Sequence, residues 1–284
     1  MKRLVLVGGT LIAAALPYTA VLAESALEVT SRYYVQDGLL VQYDGIENAG
    51  RGLHDATTNR WADLTGNGPD FVLIEGKKGK FTENAFSFDG PSAKRTPSLP
   101  SARTFETCVG MTSGRWVISG HDNKYDSPSG DRVQQGLVTV SGTTNTFQVA
   151  FLTPTQGNTS WLDCRNSASP FSTSVLYVDD PAKGSLACYC NGSLAPALTG
   201  SNTWKGDGNS YIGVPPAMDQ NQYGKGLLHS VRLYDRRLTE AEIARNALVD
   251  AVRFKGAAIP ASLAPDVTFV AEGASSGVTF RWSV

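Results

Sequence analysis

Gly226-Leu-Leu-His-Ser-Val-Arg-Leu-Tyr-Asp-Arg-Arg-Leu-Thr-Glu-Ala-Glu-Ile-Ala-Arg-Asn246 reads as one strand running straight into one helix. Leu227, Val231 and Leu233 sit among polar residues in an extended, half-buried pattern. The helix opens with a full set of entry signals. Thr239 is an N-cap, Glu242 three residues on completes a capping box, and Leu238 is placed to pack on Ile243 as a hydrophobic staple. Ile243, Ala247 and Ala251 then recur every four residues, an apolar stripe that must lie against something larger.

Upstream of this stretch the chain alternates short β-like runs with turn-rich polar segments. The runs are residues 38–43, 85–89, 105–112, 115–119, 136–140, 146–151, 174–178, 185–190 and 210–214, with glycine, asparagine and aspartate clustered between them. Many short strands without alternating helices indicate an all-β sandwich or jelly roll, closed by one short helix on the C-terminal side. Phe86 and Phe88 alternate inward around Ser87 as core residues, and Trp61, just ahead of Gly66-Asn-Gly68, reads as a core anchor. Downstream, residues 255–266 are rich in alanine and proline and read as a linker. Residues 267–271 and 277–284 then form a hairpin whose last strand places Val278, Phe280, Trp282 and Val284 on one face. That face is expected to close over the sandwich edge or to meet a partner as an added strand.

The N-terminus sets the compartment. Lys2 and Arg3 precede an apolar stretch from Leu4 to Leu16, and Val21-Leu-Ala23 fits a small-residue cleavage site, so residues 1–23 read as a signal peptide. The apolar run is shorter than the roughly 20 residues needed to span a bilayer, and no later segment is apolar enough to cross one. The expected product is therefore exported, with no membrane span, to the cell surface, the periplasm or the medium. Cleavage removes two basic residues and no acid, leaving 23 basic against 26 acidic, a net charge of −3. That charge has the wrong sign for a nucleic-acid partner. Cys108, Cys164, Cys188 and Cys190 allow two disulfides in three pairings, or buried thiols. Cys188 and Cys190 share one strand face, which makes a bridge between them awkward and favours partners at Cys108 and Cys164.

Several stretches, in order, resemble the concanavalin A-like, laminin-G-like jelly-roll domains of bacterial secreted and surface proteins. Leu40-Val-Gln-Tyr-Asp-Gly-Ile-Glu-Asn-Ala-Gly50, His54-Asp55 and Trp61-Ala-Asp-Leu-Thr-Gly-Asn-Gly68 resemble the family's opening strand and loop. Phe86-Ser-Phe-Asp-Gly90 and Cys190-Asn-Gly-Ser-Leu194 are similar to later strands and turns, and residues 226–246 to the closing strand and helix. The resemblance spans residues 33–254, with 24–254 taken as one domain and 255–284 as linker and tail. It implies a structural calcium near the first loop, where Asp63, Asn67 and Asp70 can present oxygens to a hard cation. The same residues can instead close turns through side-chain hydrogen bonds. Asp44 and Asp55 are secondary candidates. One departure is that His229 and Ser230 stand where the family often has an acid ahead of the Val-Arg-x-Tyr segment.

Catalysis is not expected. Retaining glycoside hydrolysis needs two carboxyls roughly 5 Å apart, and no strand carries acids at alternate positions. Glu47, Glu75, Glu83 and Glu106 stand singly, Glu240 and Glu242 belong to the helix start, and Asp179-Asp180 reads as a turn. No Gly-x-Ser-x-Gly elbow accompanies His54, His121 or His229. For glycans, three polar-aromatic loops are candidates. The first carries His121, Asp122, Asn123, Tyr125, Asp126 and Asp131; the others carry Trp204 and Tyr223. The sequence thus points to an exported, non-catalytic module for a glycan or glycosylated surface. A structural or adhesive protein is the alternative, and a glycoside hydrolase or lyase a weaker one.

Overall fold

The computed structural model describes residues 29–97, 99–100, 102–113, 117–119, 132–138, 146–152, 159–164, 173–180, 185–194, 198–199, 209–213, 223–263, 267–270 and 279–282; within 132–188 the description is of the backbone. The strands are β1 (Leu39–Asp44), β2 (Arg60–Trp61), β3 (Phe71–Leu73), β4 (Lys80–Phe81), β5 (Phe86–Asp89), β6 (Ala93–Arg95), β7 (Thr104–Ser113), β8 (Ile118–Ser119), β9 (Arg132–Val138) and β10 (Thr146–Leu152). They continue as β11 (Thr159–Cys164), β12 (Thr173–Asp180), β13 (Ser185–Cys190), β14 (Ser193–Leu194), β15 (Leu198–Thr199), β16 (Ser210–Ile212) and β17 (Lys225–Tyr234). The helix α1 (Glu240–Lys255) follows, then β18 (Val267–Val270) and β19 (Thr279–Trp282).

Two antiparallel sheets face each other as an all-β jelly-roll sandwich. One has nine strands, in the order β14-β13-β12-β7-β17-β5-β4, with β1 added on β17 and β15 on β13. The other has eight, in the order β11-β10-β9-β8-β16-β6-β3-β2. Inward residues of both sheets form one core, including Tyr43, Trp61, Phe71, Phe86, Phe88, Ile118, Ile212, Leu228, Val231 and Leu233. Trp61 is wholly buried: it stacks on Phe86 at 5.7 Å, meets Tyr43 and Phe81 edge-on, and donates its indole N–H to the Asp44 carbonyl at 2.8 Å. It anchors the core. Each of the nine strands expected from sequence is present. Asp179 and Asp180, expected in a turn, instead end β12, where they pair with Leu186 and Ser185 of β13. Asn191 and Gly192, both with positive φ, join β13 to β14, as a two-residue hairpin turn requires.

The strand-into-helix stretch differs from its sequence reading in one respect. A bulge between Leu228 and Ser230 shifts the phase of β17 against β7. Leu228 therefore takes the inward place with Val231 and Leu233, while Leu227 is 36% exposed. The opposite face of β17 carries Ser230, Arg232 and Tyr234, also buried, because α1 lies over them. The entry signals of α1 are all present: Thr239 and Glu242 form the capping box, and Leu238 and Ile243 share a cluster with Tyr189 and Tyr234. Its buried face is not an alanine stripe. Ile243, Asn246, Val249, Asp250 and Phe254 face inward, with Ala247 and Ala251 half-buried at its margin. Asn246 and Asp250 can be there because charged partners meet them.

The chain divides into two compact units. One is residues 29–263; the tail hairpin belongs to the other. In the first, the 3-10 turn Ala261–Leu263 buries Leu263 with Val29, Tyr34 and Val249. In the second, β18 and β19 pair so that Val267 lies opposite Trp282 and Phe269 opposite Phe280. Residues 1–28 lie outside the described residues, as does the cleavage site expected within them. Cys108 is wholly buried on β7, and the side chains of Cys164, Cys188 and Cys190 lie outside the description.

Candidate functional site

Strand register decides which sequence-selected residues share a neighbourhood. Arg95, the last residue of β6, pairs with Ser210, the first of β16. Tyr211 pairs with Ser119, the last residue of β8, and Ser119 with Gln134 near the start of β9. Val72 pairs with Lys94, so the segment entering β3 arrives at the same end. The loop 62–70, the segment after Arg95, and the described anchors of segments 120–131 and 200–208 therefore meet at one end of the eight-stranded sheet. Asp63, Asn67 and Asp70 are on that rim. His121, Asp122, Asn123, Tyr125, Asp126, Asp131 and Trp204 lie outside the described residues, but β8 and β9, which flank the first six, and β16, which follows Trp204, have ends there. Tyr223 does not join them. It sits at the opposite end, where its ring lies so close to Gly90 that a Cβ there would be 2.6 Å from a ring carbon.

Arg95, buried under the rim, holds the first two segments together. Its Nε donates to the Tyr43 hydroxyl at 2.8 Å and the Pro69 carbonyl at 3.1 Å, and its Nη1 donates to the Pro97 carbonyl at 2.8 Å. Gly68 lets the loop pass close to this side chain, since a Cβ there would stand 2.6 Å from Arg95 Nη2 and displace the guanidinium. The Thr96 hydroxyl donates to the Asn209 side-chain carbonyl, and Leu99 N–H to the Ser210 hydroxyl at 2.9 Å, which ties in β16. No local signal marks Arg95 in sequence, because two of its partners, the Tyr43 hydroxyl and the Pro69 carbonyl, lie 52 and 26 residues away.

The calcium expectation can be tested on the donors around Asp63. Its Oδ1 accepts the N–H groups of Gln42 at 2.9 Å and Thr65 at 3.1 Å. Its Oδ2 accepts the Thr65 hydroxyl at 2.8 Å and Gly68 N–H at 2.9 Å. Asp70 accepts Asp63 N–H at 3.1 Å and pairs with Arg60 at 2.9 Å, while Asn67 is exposed. Four donors already point at the one buried carboxylate, and a cation would have to displace them. These residues do not fit the ion; they close turns. Of the secondary candidates, Asp44 binds Arg253 through Oδ1 while its buried Oδ2 has no hydrogen-bond partner, and Asp55 accepts the N–H and hydroxyl of Thr57, which hold its carboxyl below the usual range. No group of three metal-ligating side chains among the described residues is placed to hold an ion.

Carboxylates do come together elsewhere, in an arrangement not visible in sequence. Arg232 on β17 binds Glu106 of β7 at 2.8 Å and Asp250 of α1 at 2.8 and 3.0 Å. Asn246 donates to Glu106 at 2.8 Å, Tyr34 donates to Asp250 at 2.7 Å, and the Tyr34 ring lies 3.8 Å from the guanidinium. Burial pushes the Glu106 carboxyl up, opposed by Arg232. A second arginine, Arg253 of α1, binds Asp44 at 2.8 Å and Glu47 at 3.1 Å. Burial raises Asp44 in the same way, whereas at Glu47 the effect of burial is outweighed by donors from Ser31, Gly52 and Arg253, and its carboxyl falls below normal. Ser230 stands where the resemblance leads one to expect an acid, and the carboxylate arrives from the helix: Asp250 accepts the Ser230 hydroxyl at 3.3 Å. His229 packs on Phe254 and is held low by burial, hence neutral. These carboxylate pairs face arginines in a closed interior, with no access for a scissile bond. They fasten α1 to the sheet.

Residues 112–244, just under half of the chain, match the family model described as the concanavalin A-like lectin/glucanases superfamily. The motifs at residues 40–90 fall outside that span. No curated protein matches the chain. Among solved structures, the chain is similar to domain 4 of AbnA, a GH43 extracellular arabinanase from Geobacillus stearothermophilus, in complex with arabinotriose. Identity is 18%, the TM-score 0.46, and the match covers 74% of this chain and 98% of that one. The Ruminococcus gnavus IT-sialidase CBM40 is 18% identical, with a TM-score of 0.40 over 53% of this chain and 84% of that one. The binding domain of botulinum neurotoxin serotype D is 12% identical, with a TM-score of 0.50 over 74% of this chain and 51% of that one. At these identities the likeness is one of fold.

Proposed function

We propose that the chain is an exported, non-catalytic module that binds carbohydrate or a glycoconjugate at the cell surface. The observation that carries this reading is the rim. Register brings the ends of β3, β6, β8, β9 and β16 together, so the strand ends that bound segments chosen for their mixture of aromatic, amide and carboxylate groups are neighbours in one sheet. The lectin/glucanase family model covers the strands that flank two of those segments. Export rests on the N-terminal sequence. No helix among the described residues is long and apolar enough to cross a membrane.

Catalysis is the weaker reading because the facing carboxylates of the described interior are neutralised by Arg232 and Arg253 beneath α1. Protein-protein contact is a second reading favoured by the tail, where β18 and β19 set Val267, Phe269, Phe280 and Trp282 on one face of a two-stranded ribbon. A glycan array with the mature chain separates the two: selective retention of particular glycans is expected, and none, together with self-association, would favour protein contact. The same array and a melting scan are expected to be unchanged between calcium and EDTA. A calcium-dependent shift of several degrees would restore the metal at Asp63.

A further inference from the structure

The helix covers only part of the outward face of the nine-stranded sheet. Its last turn meets β17 at His229, whose ring lies 5.1 Å from that of Phe254, and Gly256 then caps the helix in the left-handed conformation. The next outward residue along β17 is Leu227, 36% exposed. Register sets it opposite Ser87, which lies opposite Lys80 in turn, while Lys225 lies opposite Asp89. The alternate residues Phe81, Phe86, Phe88 and Leu228 are buried in the core, so Lys80, Ser87, Asp89, Lys225 and Leu227 share the outer face.

Lys78 reaches the same place from the segment between β3 and β4. Its ammonium lies 3.0 Å from Asp89 Oδ2, and that of Lys225 lies 3.6 Å from the same atom, although the two lysine side chains are 77% and 58% exposed. Lys78 first, then Lys225, hold the Asp89 carboxyl below its usual range. Lys77, next to Lys78 in sequence, and Lys80 are exposed as well. Four lysines thus stand against two acids, Asp89 and Glu75, in a chain whose formal net charge is −1. Lysine on an edge strand such as β4 keeps other strands from adding to it. That does not account for Lys225 and Leu227, because β17 lies inside the sheet, between β5 and β7.

We infer that this uncovered patch is a docking surface for an acidic segment of another protein, one that carries apolar side chains between its carboxylates. Ammonium groups flank an exposed leucine, and the complement of that pattern is an apolar side chain flanked by negative charge. Leu227 decides between partner classes. A polyanion without apolar side chains would use the lysines alone and leave the leucine in water. An acidic, leucine-bearing peptide uses both. Lysine ammoniums are hydrated point charges on flexible stems, which suits them to drawing in a charged segment without fixing one geometry. The patch is separate from the rim, which belongs to the other sheet.

The test is fluorescence anisotropy with the mature chain and labelled probes: a peptide alternating glutamate with leucine, polyglutamate, and polygalacturonate. The alternating peptide is expected to bind most tightly and to weaken as sodium chloride screens the charges. Lys78→Glu combined with Lys225→Glu is expected to weaken it about tenfold or more. Leu227→Ser should weaken it about threefold and erase its preference over polyglutamate. Lys94→Glu, on the other sheet, should change neither. Melting curves check that each variant folds, and if the charge reversals do not, Lys78→Gln with Lys225→Gln takes their place. No binding of the alternating peptide at low salt, an equal loss from Lys94→Glu, or polygalacturonate bound as tightly as the peptide would each overturn the proposal. Glycan retention on the array should be untouched by these variants, and its loss in them would overturn a separate patch. A wild type that retains no glycan at all would count against the rim alone.

Discussion

The outward face of the nine-stranded sheet carries Ser230, Arg232 and Tyr234 from β17 and Glu106 from β7, all buried beneath α1. The outward face of the eight-stranded sheet carries Val72 and Lys94, which reach solvent, beside Tyr211, which is buried. Both faces follow the same sequence rule, polar residues alternating with an apolar core set. They differ in whether another element covers them. Where a helix does, polar side chains must find partners among themselves, and they become a fixed network in which only Asp44 Oδ2 and Arg253 Nε, among the described residues, have no hydrogen-bond partner. A polar sheet face therefore acquires its meaning from its cover.

The sharpest way to break this comparison is to make the same substitution on each face. Arg232→Met leaves Glu106 and Asp250 buried without their guanidinium and is expected to cost about 3–5 kcal/mol in urea unfolding. Lys94→Met, on the open face, should stay within about 0.5 kcal/mol. Equal losses would mean that both faces are structural. A smaller effect concerns the cover itself: Thr239→Ala removes the cap of α1 and is expected to cost about 1 kcal/mol, read as a lower melting temperature, with glycan binding on the far sheet unchanged.

The smallest effect is a titration. The Arg236 guanidinium, with the N–H and hydroxyl of Thr239, holds the Glu242 carboxyl down at about 2 from an ordinary 4.5. Because the folded value is the lower one, this stabilisation is fully present above pH 4.5 and is lost as pH falls toward 2. The pair is partly solvated, which limits it to about 1 kcal/mol or less. Glu242→Gln should flatten the acid limb of a stability-against-pH curve by that amount. An unchanged limb would show that Glu242 titrates alike in the folded and unfolded chain.

Local patterns made much of the fold legible. The capping box at Thr239 and Glu242, the staple of Leu238 on Ile243, the inward Phe86 and Phe88 and the Asn191-Gly192 turn are set by neighbours within a few residues, and all are present. What failed did so where distant residues intervene. The bulge at His229 exchanged Leu227 for Leu228. The expected alanine stripe of α1 gave way to Asn246 and Asp250, because Arg232 and Tyr234, more than ten residues earlier, supply their partners. Strand β11, with Trp161, escaped notice because Thr159-Ser-Trp-Leu-Asp-Cys164 mixes polar and apolar residues without strict alternation. The Asp63 loop offered the right atoms for a cation, but Gln42 N–H, twenty-one residues away in sequence, is one of four donors that occupy them.

By itself, the sequence determined the class of the molecule: an all-β body, several of its turns and one capped helix. Those follow from periodicity and short-range stereochemistry, which a linear chain displays openly. Tertiary structure decided the rest. It chose which polar residues were sealed under α1 and which were left to solvent, and it joined loops far apart in the chain into one rim. Pairing register and layer packing are relations between remote segments, and a charge or an amide carries no local mark of the partner it will meet.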